Sequence, residues 1–92
     1  MIGSIKHKGL AALYHDDLTK GVKQSHAKRL RQILFLLDTA FVAEDMNSPD
    51  LNFHQLKGDL AGFHAVSVSG NWRVIFRFED NQAVDVDLID YH

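Results

Sequence analysis

From Phe63 onward the apolar residues of this chain recur at every second position, and a period of two is the signature of strands. Trp72, Val74, Phe76 and Phe78 share one face of such a strand, while Arg73, Ile75 and Arg77 share the other. Val66 and Val68 before this run, and Val84, Val86 and Leu88 after it, supply matching apolar faces. A slip of one residue would bury the polar set, so the faces constrain the register. Keeping Val68 and Val66 beside Trp72 and Val74 predicts a three-residue loop, Ser69-Gly70-Asn71, with Gly70 or Asn71 left-handed. Ser67 then lies opposite Arg73. Pairing Phe78 with Val84, Phe76 with Val86 and Val74 with Leu88 predicts the second hairpin. That register sets Arg77 against Asp85 and Arg73 against Ile89, and lays Asp90, Tyr91 and His92 alongside Trp72 to Gly70.

Upstream the period is 3.6. Lys8 to Leu18 carries Leu10, Leu13, Tyr14 and Leu18 on one stripe; Thr19-Lys20-Gly21 is expected to end this helix, with Gly21 as its C-cap. Ser25 is the expected cap of a second helix, in which Ala27, Leu30, Ile33, Leu34 and Leu37 form the buried face and Arg29, Arg31 and Gln32 the wet one. Ile2 to Lys6 reads as a short first strand. Ala40 to Asn52 is a connector, with one helical turn at Glu44-Asp45-Met46 and a turn at Asn47-Ser48-Pro49-Asp50. The expected architecture is a single α+β domain over residues 1–92, β-α-α-β-β-β: an antiparallel sheet with both helices packed on its Trp72 face. The opposite face, rich in Arg, Asp and Ser, is where a ligand would sit.

Several function classes are excluded by composition. The chain has no cysteine, which removes disulfides, thiolate metal sites and a cysteine nucleophile. A net charge of −2 and a pI near 6.3 argue against gripping nucleic acid by bulk charge. The basic residues are nevertheless segregated: Lys20, Lys23, Lys28, Arg29 and Arg31 fall within one stretch. No apolar run approaches bilayer length and the first strand begins almost at Met1, so neither a membrane span nor a signal peptide is expected, and the expected location is the cytoplasm. His7, His15, His26 and His64 lack metal-ligand spacing and read as surface or core histidines.

Three short motifs carry chemistry. The chain ends Asp90-Tyr91-His92, an acid, a phenol and an imidazole that the strand pairing brings beside Arg73. His54-Gln55-Leu56-Lys57-Gly58-Asp59 adds an imidazole and an ammonium; Gly70-Asn71-Trp72-Arg73 adds a guanidinium. Such a set suits phosphodiester chemistry. Histidine is the side chain whose unperturbed form titrates nearest neutrality, so His54 and His92 are the natural proton carriers. Arg73 can fork onto non-bridging phosphate oxygens, and Lys57 can supply a point charge. Asp90 can orient an imidazole; Tyr91 can stack on a base or bond a phosphate. For Arg77, by contrast, a cross-strand ion pair with Asp85 or Asp87 is the expected role. Trp72, Phe76 and Phe78 belong to the core face.

A β-α-α-β-β-β chain with HxLKGD, GNWRxxFRF and a terminal DYH resembles the RelE/ParE superfamily of toxins, and within it the HigB type, over essentially all of its length. The resemblance implies a ribosome-dependent messenger-RNA endonuclease that works without metal or other cofactor. It implies attack of the 2′-hydroxyl on the adjacent phosphate by acid–base catalysis, and neutralisation by a helix-turn-helix antitoxin through which alone the toxin meets DNA. The site residues carried over by motif are His54, Lys57, Arg73, Asp90, Tyr91 and His92. Lys28, Arg29 and Arg31 are the expected contacts to ribosomal RNA. Because one fold hosts several functions, a non-catalytic inhibitor of DNA gyrase of the ParE kind is the competing expectation, and the proton-transfer cluster separates the two.

Overall fold

In a computed structural model, which describes residues 1–90, two helices cover one face of a four-stranded antiparallel sheet of order β1-β2-β3-β4. Helix α1 spans Lys8–Asp16 and α2 spans Ala27–Thr39; the strands are β1 His54–Gln55, β2 His64–Ser69, β3 Trp72–Glu79 and β4 Gln82–Asp90. Helix α2 buries the stripe that its spacing predicts; α1 buries Leu10 and Leu13 and partly buries Tyr14, while Leu18 falls beyond its end and is exposed. Leu10, Leu13, Leu30, Ile33, Leu34 and Leu37 meet Val66, Val74, Phe76, Val86 and Leu88 from the sheet. Trp72 and Phe78 pack on the margin of this core, partly buried. No helix among the described residues is long and apolar enough to cross a membrane.

The helix boundaries differ from expectation for local reasons. Helix α1 stops at Asp17, whose left-handed φ of 55° turns its N–H to the Leu13 carbonyl, while Leu18 N–H reaches Ala12. Gly21 is therefore no cap. It is small because it packs against Gly9, where an added β-carbon would collide with the Gly21 carbonyl oxygen. Helix α2 is preceded by a 3-10 turn at Gln24–His26, so Ser25 sits inside that turn and caps nothing.

Two bulges alter the registers. Ser67 faces Arg73 and Val66 faces Val74 as expected, but Trp72 pairs with Ser69 rather than Val68. Val68 is the extra residue, and the loop shortens to Gly70-Asn71, with Gly70 left-handed at φ 53°. In the second hairpin Val74–Leu88 and Arg73–Ile89 hold, whereas Arg77 pairs with Val84 and Phe78 with Ala83. The slip is taken up at Asp85, φ 52°, and the turn closes on two left-handed residues, Asp80 and Asn81. Arg77 still reaches Asp85 (Nε–Oδ2 2.9 Å) and also Glu79 (Nη1–Oε2 2.9 Å), the structural role expected of it.

The N-terminal segment is not a continuous strand. It runs parallel to β4 and touches it at two bridges, Ile2–Ala83 and Ile5–Val86. Between them the bulge turns the Asp85 N–H onto the Ser4 hydroxyl at 2.8 Å, which interrupts the ladder. Asp38 on α2 ties this segment down by accepting from the Ile2 N–H (3.3 Å) and the Tyr14 hydroxyl (2.6 Å). That hydroxyl bond, followed by burial and the Asp38 charge, raises the Tyr14 pKa from 10.0 to about 12. A phenol with a raised folded-state pKa stabilises fully below its unfolded value and loses that contribution as pH climbs through the folded one. Denaturant unfolding across pH 9 to 12.5 should therefore show a decline that sets in near 10 and flattens in Tyr14→Phe; identical profiles for the two proteins would refute the linkage.

Candidate active site

The sheet face turned away from the helices carries His54 and Arg73. Its expected polar character is interrupted by a second apolar cluster: Leu56, Ala65 and Ile75 are buried, with Leu60, Phe63 and Ile89 packed on them. The connector after β1 folds back over the sheet to form it. The Leu56 N–H donates to the Phe63 carbonyl at 2.9 Å, and Gly58 makes the reversal with φ +68°, a conformation costly for any residue bearing a β-carbon. This fold explains His-x-Leu-Lys-Gly-Asp as a structural unit. Leu56 anchors it, Gly58 turns it, and Gly58–Leu60 forms a 3-10 turn with Lys57, exposed, at its N-cap. The polar surface is thereby narrowed to the end of the sheet nearest the Gly70-Asn71 turn.

There two rows of cross-strand neighbours meet. His54 faces Ala65, Ala65 faces Ile75, and Ile75 faces Asp87; two residues further along, Ser67 faces Arg73 and Arg73 faces Ile89. His54 thus stands two strands from β3, about 10 Å at ordinary strand spacing. Its Nδ1 lies 3.0 Å from the Asn52 carbonyl oxygen, which can only accept. In the neutral ring Nδ1 therefore holds the proton and Nε2 is the basic nitrogen. Asn52 is itself left-handed, φ 50°, and its side-chain amide reaches the Ser67 hydroxyl at 3.4 Å. Neither Asn52 nor Ser67 stood among the predicted site residues. The signal that could have found Asn52 is its place at the end of the connector, two residues after the turn cluster, where Asn tolerates positive φ.

Arg73 is anchored through one nitrogen. Its Nη1 donates to the carbonyls of Gly70 (2.7 Å) and Trp72 (3.1 Å), while Nε is buried with no hydrogen-bond partner among the described residues. The guanidinium is thus held at the hairpin end. Asp90, at the end of β4, pairs with Trp72 of β3 as the register predicted, and is exposed and engaged in an interaction of its own. Strand alternation places it on the Trp72 face rather than the Arg73 face. Tyr91 and His92 lie outside the described residues.

The three basic residues of α2 are not brought to this site. They ride on the helices, across the sheet from Arg73. Arg29 bonds the Asp50 side chain and backbone and the Ser67 carbonyl, bracing α2 to the connector; Arg31 pairs with Asp17 at 2.8 Å; Lys28 is exposed. Of the remaining histidines, His7 caps α1 through Nδ1, His26 is buried, His64 stacks against both Phe53 and Phe76, and His15 is exposed against Tyr14. Among the described residues no group of three or more His, Cys, Asp or Glu is placed to hold a metal ion.

Chemically, the arrangement offers a proton acceptor on one strand, a guanidinium two strands away and an exposed ammonium on the intervening turn. A family model described as the RelE-like toxin of the type II toxin–antitoxin system HigB matches residues 3–92. Endoribonuclease HigB of Proteus vulgaris is 37% identical over 92 residues, the whole of both chains. Toxin HigB-1 of Vibrio cholerae serotype O1 is 32% identical over 85 residues, 90% of each chain.

Proposed function

Because the chain belongs to the HigB family of RelE-like toxins, we propose that it is the endoribonuclease of a type II toxin–antitoxin pair and cuts messenger RNA on the ribosome. Membership of such a system brings with it an antitoxin partner. The finer reading is that this partner is a HigA-like helix-turn-helix protein, that the target lies in the small-subunit decoding site, and that the toxin acts in the cytoplasm as one domain.

In the proposed reaction the ribose 2′-oxygen attacks the adjacent phosphorus in line. Its proton passes to an imidazole, the bond to the 5′-oxygen breaks, and that oxygen takes a proton from an acid. The products are a cyclic phosphate and a free 5′-hydroxyl. His54 and His92 are the two proton carriers, in either order. Arg73 binds the non-bridging oxygens as their charge grows, with Lys57 adding to the field, while Asp90 and Tyr91 position the reacting groups. The observation that carries this reading is the pairing on one sheet end of an anchored Arg73 with a His54 whose Nδ1 meets a carbonyl, leaving Nε2 basic. A gyrase inhibitor has no use for that pairing.

Induced expression followed by mapping of cellular mRNA 5′ ends tests it. New ends within translated frames, together with arrested protein synthesis, are the expected result. Intact message accompanied by DNA breaks would overturn it in favour of the gyrase inhibitor.

A further inference from the structure

On the helix side of the sheet a cavity of about 310 Å³ opens between the α1–α2 connection and β3, lined by His7, Lys20, Lys23, His26 and Trp72 with Leu88 beneath. The Gly9–Gly21 contact draws the connection close to the start of α1 and carries Lys20 and Lys23 to the rim. Lys23 Nζ stands 5.0 Å from the centre of the Trp72 ring, within reach of a cation–π attraction. Lys20 has no ion-pair partner among the described residues.

The floor is unusual. His26 is only 5% exposed, leans edge-on against Trp72 at 5.7 Å, and its Nδ1 has no hydrogen-bond partner among the described residues. A buried polar atom left without a partner costs roughly 1–3 kcal/mol, so the ring is held in this floor by its packing against Trp72 rather than by a hydrogen bond at Nδ1. His7 accepts the Leu10 N–H at Nδ1 (3.2 Å), so its neutral ring carries the proton on Nε2 and is a donor there. Among the described residues no carboxylate lines the cavity.

Two ammonium groups, two imidazoles and an indole around a half-open space suit a ligand that is anionic at one end and flat at the other. A nucleotide within an RNA strand has that chemistry: its phosphate for the lysines, its base for the indole and imidazole. Trp72 and Arg73 are successive residues of β3 on opposite faces, so this cavity and the candidate active site lie back to back at the Gly70-Asn71 end. An RNA strand rounding that turn meets both. We propose that the cavity is a second RNA subsite, which holds a phosphodiester and its base away from the point of cleavage; it deepens the nuclease reading above and rests on it for its biological setting. The RNA has two sources with one chemistry, the message itself or the ribosomal RNA around it.

Trp72 is the single tryptophan of the chain, so its fluorescence reports the cavity directly. The purified chain is titrated at low salt with a short oligoribonucleotide made uncleavable by 2′-deoxy substitution. The expected result is saturable quenching, with the apparent Kd raised about tenfold in the Lys20→Ala/Lys23→Ala double variant and the log–log salt slope reduced by about 1.4, the single-strand value for two phosphates. On programmed ribosomes the same variant should raise KM with kcat unchanged. Weaker binding to small subunits lacking message identifies ribosomal RNA as the source; unchanged binding there, with KM still raised, identifies the message. Equal Kd, salt slope and KM in variant and wild type would overturn the subsite. Should the wild type cleave nothing while lysine-dependent quenching persists, the nuclease reading fails and the RNA subsite stands.

Discussion

Arg73→Ala is expected to cut single-turnover cleavage of ribosome-bound message by roughly a thousandfold, the scale seen when one fixed donor to a developing negative charge is removed. The expectation follows from how the side chain is held. Two bonds from Nη1 to its own hairpin carbonyls fix the guanidinium before any substrate arrives, so little reorganisation accompanies charge build-up on phosphate. Arg73→Lys keeps the charge but loses the planar fork and the double anchor, and should fall between wild type and Ala. The fold should survive either change. The lost bonds are to carbonyls at an exposed hairpin end, each contributing about 1 kcal/mol, and the core behind β3 is untouched. Thermal unfolding measured beside the kinetics separates the two effects. An Ala variant that cleaves within threefold of wild type would remove Arg73 from the site.

Phe76→Ala should destabilise the domain by about 3–5 kcal/mol, the range for deleting a buried aromatic ring. Phe76 is 0% exposed, lies at the centre of β3, and meets Phe53, His64 and Phe78 at ring-centre distances of 6.5, 6.1 and 6.0 Å. Phe53 and His64 flank the connector that carries His54, so the void opens beneath the site as well as within the core. A domain of this size has on the order of 5–15 kcal/mol to lose, and a substantial unfolded fraction at 37 °C follows. Urea unfolding read by Trp72 fluorescence provides the measurement. A midpoint shift worth less than about 1 kcal/mol would mean that the core closes around the gap far better than its packing implies.

The two predictions differ in how far the sequence anticipates them. Phe76 could be placed in the core from the strand period alone, and Arg73 could be placed opposite Ser67 and Ile89 by the same alternation; both pairings hold in the structure. The buried face of α2 was equally legible, because five apolar residues at helical spacing have one side on which to meet a sheet. His54 was legible only as a residue type in a motif. Its position on a short strand beside β2, and the carbonyl that selects its tautomer, depend on Asn52 adopting a left-handed turn after Pro49-Asp50.

What the amino-acid order determines by itself is therefore periodic: strand and helix identity, which face is buried, and the approximate register of each hairpin. Tertiary structure decided the interruptions. The bulge at Asp85 is met by Ser4, 81 residues away, whose hydroxyl accepts the displaced N–H; no local pattern contains that contact. The cover over Ile75 likewise arises because the residues after His54 fold back through Gly58 to bury Leu56, Leu60 and Phe63, converting half of an expected ligand face into a second small core. Alternation reports how a strand divides its side chains between two faces. It carries no information on whether a face meets water or a distant segment of the same chain, and that choice is made by the free energy of burial once the whole chain has closed.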